Sequence, residues 1–192
     1  MRYLKIVLVG LILIGSYNCK EAKKEASEAA EEMEETMEEA VEVEMISFKM
    51  EPKSESGVTG EVTFVQENDK ISMVGTFSGL TPGVHAIHIH EKADCSAADG
   101  TSTGGHWNPT AEPHGQWGQE GGFHRGDIGN LTADANGNAR IEFSTDLWCL
   151  GCDDENKNIV GKAVIVHQGT DDFTTQPTGG AGARVSCTGI IK

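Results

Sequence analysis

From Ile46 onward, apolar and polar residues alternate with a period of two. Ile46, Phe48 and Met50 begin the pattern, Val62-Thr63-Phe64-Val65 continues it, and residues 71–77 repeat it. Such alternation marks strands with one buried face. Turn chemistry punctuates the runs at Glu55-Ser56-Gly57, Asn68-Asp69, Leu80-Thr81-Pro82-Gly83 and Asp134-Ala135-Asn136-Gly137. Further strands are predicted over 86–90, 138–143, 163–167 and 184–191. The unbroken run Ala163-Val164-Ile165-Val166 reads as fully buried. Short strands with long connections predict an all-β antiparallel sandwich or barrel. Two insertions, 91–125 and 169–183, break the rhythm, and loops of that length in a compact domain are functional or disordered more often than not.

Before residue 46 the pattern is of another kind. A basic start (Arg2, Lys5) leads into nine apolar positions from Ile6 to Ile14. That is short of the roughly 20 residues needed to span a bilayer, but it fits the h-region of a signal peptide over residues 1–18. The run ends at Gly15-Ser16-Tyr17-Asn18-Cys19-Lys20. A cysteine there resembles the acylation site of a bacterial lipoprotein, with Tyr17 and Asn18 departing from the small residues preferred before it. Residues 19–45, rich in Ala, Glu, Lys and Met and free of Gly and Pro, read as an acidic lipid-tethered spacer. Ala29, Met33, Met37, Ala40 and Val41 recur there at helical steps. The folded domain is expected over 46–192, held in the bacterial cell envelope and facing either the periplasm or the cell surface.

Charge excludes one class of partner. The formal net charge is −15, of which residues 1–46 carry −6, from eleven glutamates against Arg2, Lys5, Lys20, Lys23 and Lys24. Nucleic-acid binding needs clustered Lys and Arg to neutralise phosphates, so no nucleic-acid partner is expected. Five cysteines behind an export signal point to an oxidising compartment. With Cys19 set aside, Cys95, Cys149, Cys152 and Cys187 are an even remainder whose pairing the count leaves open.

The candidate chemistry lies in the histidines. In a strand over Ala86-Ile87-His88-Ile89-His90, positions i and i+2 share a face. His88 and His90 therefore stand side by side, while His85 falls on the opposite face and is the poorer ligand. His106, His114, His124 and Asp127 follow in a Gly-rich loop, and His167 ends an apolar run. Imidazole suits copper, zinc, iron and nickel, a His-x-His pair with distant partners fits square-planar Cu(II), and a histidine set completed by one carboxylate fits a closed zinc site. A methionine-based copper-collecting set of Met33, Met37, Met45 and Met50 is a further expectation. Cys149-x-x-Cys152 can be a redox motif, half a zinc site or a local disulfide. With no second pair to complete a zinc site, a small disulfide is the reading carried forward.

His88-x-His90, Gly105-His106-Trp107-Asn108-Pro109, His114, His124-Arg125-Gly126-Asp127, His167 and Gly182-Ala183-Arg184-Val185-Ser186-Cys187 together resemble copper/zinc superoxide dismutase. The resemblance runs from near Ile46 to Ile191, and the spacing of His90 and Cys95 is similar to the bacterial secreted branch. It implies an eight-stranded antiparallel Greek-key β-sandwich or barrel with two long functional loops. It also implies copper on His88, His90, His106 and His167, and zinc on His106, His114, His124 and Asp127, with His106 bridging. Asp171 would hydrogen-bond a ligand of each site, Arg184 would hold the superoxide anion, and Cys95 and Cys187 would pair. The implied activity is dismutation of superoxide to oxygen and hydrogen peroxide; the alternative is a non-enzymatic copper/zinc carrier on the same fold. Bacterial relatives include monomers and homodimers, and no pattern selects between them.

Overall fold

The computed structural model describes residues 43–192. The expected signal peptide, the lipid site at Cys19, and spacer residues 19–42 with Met33 and Met37 lie outside the described residues. Eight strands follow: β1 (Val43–Pro52), β2 (Thr59–Glu67), β3 (Lys70–Ser78), β4 (Gly83–His90), β5 (Gly129–Ala133), β6 (Ala139–Thr145), β7 (Ala163–His167) and β8 (Arg184–Gly189). The alternation of β1 thus begins at Val43, earlier than the Ile46 expected.

Across the sheet the order is β5-β4-β7-β8-β1-β2-β3-β6, with every pair antiparallel. β1 joins the two halves: Val43 to Met50 pair with β2, while Glu51 and Pro52 pair with Cys187 and Ser186 of β8. The connections β3–β4 and β6–β7 cross between halves in Greek-key fashion. The outermost strands, β5 and β6, are consecutive in sequence and linked by the turn at 134–138, where Asp134 N donates to Asn138 O at 2.8 Å. This brings the two ends of the sheet together into a nearly closed barrel. Gly137 in that turn has φ 78°, and a Cβ there would run into the Leu80 carbonyl.

Alternation places Ile71, Met73 and Phe77 of β3 inside the barrel, against Ile87 and Ile89 of β4 and Val164 and Val166 of β7. Burying a side chain of this size contributes about 1.5–3 kcal/mol. Met50 belongs to this core at 3% exposure, whereas Met45 is 67% exposed. The expected methionine copper-collecting set therefore loses Met50, which is packed into the core.

The other face of β4 and β7 is buried too, but beneath loops. Ala163 and Ile165 pack with Cys187 and Cys95, and His88 and His90 lie under the connections 91–128 and 168–183. A third long connection, 146–162, was not marked by the sequence pattern. It contains the Cys149–Cys152 disulfide.

Candidate metal centre

Strands place three of the histidines. His88 and His90 project from the outer face of β4, where β7 pairs along one edge. Across β7, a register irregularity at Val166/His167 puts His167 opposite Arg184; such bulges re-aim a side chain at the end of a strand. β5 pairs with β4 only as far as Ile87. Beyond it, the edge of β4 is taken by the loop: Trp107 N donates to Ile89 O (2.8 Å), Glu91 N to Gly105 O (3.0 Å) and Ile89 N to Gly126 O (2.9 Å). This short bridge fixes His106 opposite His90. A side chain at position 126 would collide with the Ile89 carbonyl, so the close approach requires Gly126.

His106 then lies at the centre. Its ring centroid is 3.9 Å from His88, 5.1 Å from His90, 5.3 Å from His114 and 5.7 Å from His124. Two sets of potential ligand atoms result, each within 4.8 Å of one another: His88, His90, His106 and His167, and His106, His114, His124 and Asp127. His106 belongs to both. All seven side chains are buried. Three of the rings are oriented by the protein through a further nitrogen: His88 Nε2 and His114 Nε2 donate to the two oxygens of Asp171 at 2.8 and 2.9 Å, and His90 Nδ1 donates to Gly104 O at 2.9 Å. Hydrogen bonds on the far ring nitrogen fix the tautomer and orientation of a metal-binding histidine.

Four buried ring nitrogens, His88 Nδ1, His106 Nε2, His114 Nδ1 and His124 Nδ1, have no hydrogen-bond partner among the described residues. His114 Nδ1 is 2.9 Å from Asp127 Oδ2 but out of hydrogen-bond alignment. Each such orphan costs about 1–3 kcal/mol, and four converging on the same two clusters fit metal ions as the missing partners. His85 contributes nothing to either set, as its side of β4 predicts. Its ring nitrogens face the carbonyls of His167 (2.9 Å) and Thr81 (2.8 Å).

Arg184 stands beside the first set, half-buried. Its guanidinium donates to Gly100 O (2.7 Å), Thr103 Oγ1 (2.9 Å) and Gly104 O (2.7 Å). Gly104 O also accepts from His90, so the cation and a ligand ring share one carbonyl. Cys95–Cys187 pins this loop to β8.

The family profile for copper/zinc superoxide dismutase matches residues 58–191. The chain belongs to this family. Among its relatives, a protein named superoxide dismutase [Cu-Zn] 2 from Aquifex aeolicus (strain VF5) is 32% identical over 142 residues, covering 72% of this chain and 82% of the relative. The crystal structure of a double mutant of an SOD-like protein from Bacillus subtilis matches with a TM-score of 0.68 and 29% identity, covering 76% of this chain and 97% of that one. Family membership makes the chain an oxidoreductase of the superoxide dismutase class, with copper and zinc as its metals.

In this superoxide dismutase, electrostatics leave most of the clustered histidines able to accept a metal. Burial lowers the pKa of His88 and takes that of His106 down to about 4. Burial, reinforced by neighbouring imidazoles, pushes His90 and His167 well below 6.5. These rings are neutral acceptors at pH 7. Burial works against protonation of His114 too, but the Asp127 and Asp171 carboxylates outweigh it and raise the ring to about 9. Burial likewise disfavours the charged forms of Asp127 and Asp171, yet histidine contacts hold both well below the usual carboxylate range.

These shifts predict how the metal-free dismutase responds to pH. Below 6.5 the unfolded chain takes up protons on histidines that the fold keeps neutral, so stability is lost as pH falls from about 6.5 towards 4. His114 has the opposite sign: its contribution is present below 6.5 and is lost as pH rises towards about 9. Calorimetry in the presence of a chelator should give a maximal melting temperature near pH 6.5, with the steeper fall on the acid side, where four rings act together. A melting temperature that holds steady or rises down to about pH 5 would contradict this account.

Sequence reasoning did not reach two side-chain amides. Asn130 of β5 accepts from Asp171 N and donates to Asp171 O, both at 2.9 Å. Gln176 accepts from His114 N at 2.9 Å and donates to His114 O at 2.8 Å. Each carboxamide holds both backbone groups of one site residue. The only signal for Gln176 was an amide side chain in a loop of predicted function, and Asn130, on β5, had none.

Proposed function

We propose that the chain dismutates superoxide at a two-metal centre, with copper held by His88, His90, His106 and His167 and zinc by His106, His114, His124 and Asp127. The observation that supports this most directly is the position of His106, with Nδ1 2.8 Å from Asp127 Oδ1 in one set and Nε2 a buried orphan in the other. When bound, copper supplies the one-electron redox couple, and zinc, which has no redox chemistry, closes a structural site.

The chain's own residues supply binding and proton handling. Two superoxide anions and two protons become oxygen and hydrogen peroxide, so a group must hold a small anion and another must deliver a proton. Arg184 has five N–H donors and directs three hydrogen bonds to the protein. Its remaining donors are free to orient superoxide beside His90. His106 Nε2 is the atom at which a proton is held for the departing product, while Asp127 fixes the opposite edge of the ring. Asp171 and Gly104 O keep His88 and His90 oriented throughout.

The test is direct observation of superoxide decay with the full chain carrying copper and zinc, against zinc-only and metal-free protein. Decay is expected to require copper. Arg184→Ala should lower kcat/KM by about 100-fold, the lower end of the range for loss of an oxyanion donor. Tight copper binding without decay would move the chain to a copper/zinc carrier on the same fold, and an unchanged Arg184→Ala rate would remove Arg184 from anion binding.

A further inference from the structure

The connection 146–162 has no part in ligating either metal, yet it reaches the zinc loop. Trp148, 1% exposed, donates from Nε1 to the carbonyl of Arg125 at 2.8 Å. Arg125 occupies the tight turn between His124 and Asp127, in which His124 N donates to Asp127 Oδ2 (2.8 Å) and Asp127 N to His124 O (3.0 Å). The same indole packs against Phe143 at 4.9 Å and edge-on to Trp117 at 5.7 Å. Trp117 lies between His114 and His124 in sequence and packs at a tilt on Phe123 at 4.8 Å.

His124 is the ligand with the least support of its own. Apart from a 3.4 Å contact between its Nδ1 and Asp127 Oδ1, no hydrogen bond among the described residues reaches its ring. Its position therefore depends on the turn that carries it and on what holds that turn. Main chain holds one side, through Gly126 on Ile89 and Trp107; Trp148 holds the other. The Cys149–Cys152 disulfide follows Trp148 directly, and Cys149 exchanges backbone hydrogen bonds with the far limb of its loop, to Lys157 O (2.8 Å) and from Ile159 N (3.1 Å). The backbone that presents the indole is thereby closed on itself.

We propose that Trp148 is a positioning residue for the zinc site, a latch on the His124–Asp127 turn that the Cys149–Cys152 disulfide keeps in register. This rests on the assignment of His106, His114, His124 and Asp127 to zinc. Trp148→Phe keeps an aromatic ring in the cluster but removes the N–H, leaving the Arg125 carbonyl without that donor. Loss of an outer hydrogen bond to a metal site typically costs 10–100-fold in affinity.

The full chain loaded with zinc is challenged with a chromogenic chelator, and in parallel Co(II) replaces zinc to report the site by its visible spectrum. Trp148→Phe should release zinc on the order of ten-fold faster and alter the cobalt bands, while the visible spectrum of bound copper stays that of the parent. The Cys149→Ala/Cys152→Ala variant should shift release in the same direction; release at the parent rate would overturn the disulfide's part. Zinc that stays put in Trp148→Phe, while His114→Ala abolishes its binding, overturns the latch alone. Zinc binding indifferent to His114→Ala overturns the site assignment and the latch with it. Equal changes at the copper and zinc sites, tracking a lower melting temperature, also overturn it, since they indicate a loosened barrel.

Discussion

Asp171→Ala should lower zinc affinity by about 10- to 100-fold and weaken copper retention in the same protein. One carboxylate serves both metal sets: Oδ2 accepts from His88 and Oδ1 from His114. Removing it leaves two buried N–H groups unpaired, each costing about 1–3 kcal/mol, and frees both rings to rotate. Asp171→Asn should be milder, since its one acceptor oxygen can satisfy one ring while its NH2 opposes the other. Metal stoichiometry and chelator competition on both variants measure the effect. Affinities within about three-fold of the parent would show that the rings are oriented by packing rather than by this carboxylate. Asp171 has little freedom to compensate, because Asn130 holds its main chain and a side chain at Gly179 would collide with its Oδ1.

Joint replacement of Cys95 and Cys187 by Ala should cost about 4–5 kcal/mol in unfolding free energy. The estimate follows from the chain-entropy model for a bridge spanning 92 residues. Denaturant melts of the metal-free variant, compared with parent protein, provide the number. A loss under about 1 kcal/mol would mean that the unfolded chain retains the contact by other means. The bridge also locates the loop whose Gly100 and Gly104 carbonyls hold Arg184, so the metal-loaded variant should be a poorer dismutase even where it is folded. Cys149–Cys152 closes a span of only 3 residues and constrains the unfolded chain far less.

The alternation of β1 to β3 and the apolar run of β7 made most of the barrel readable from sequence. β5 was not. Gly129-Asn130-Leu131-Thr132-Ala133 has one large apolar residue, Leu131, and its identity as a strand comes from pairing with β4, a long-range contact with no local signature. The seven clustered side chains were legible because their residue types and spacings are chemically restrictive. The supports of those side chains were not. Gln176, Asn130 and Trp148 act through single hydrogen bonds or pairs of them across the fold, and an amide or an indole in a loop carries no periodic mark. Cys149-x-x-Cys152 stayed ambiguous for a related reason: the motif states that two sulfurs are near one another, not what their loop touches.

The two metal sets differ in what must break for them to come apart. Three of the four rings assigned to copper sit on β4 and at the end of β7, adjacent strands hydrogen-bonded to each other inside the barrel. Separating those rings means opening the barrel, an event on the scale of global unfolding. Every residue assigned to zinc lies in the connection between β4 and β5, where a local opening suffices. The same division bears on how such a chain can change over generations. Its zinc loop can be lengthened or shortened, as surface connections generally can, while the strand-borne rings stay where the fold puts them.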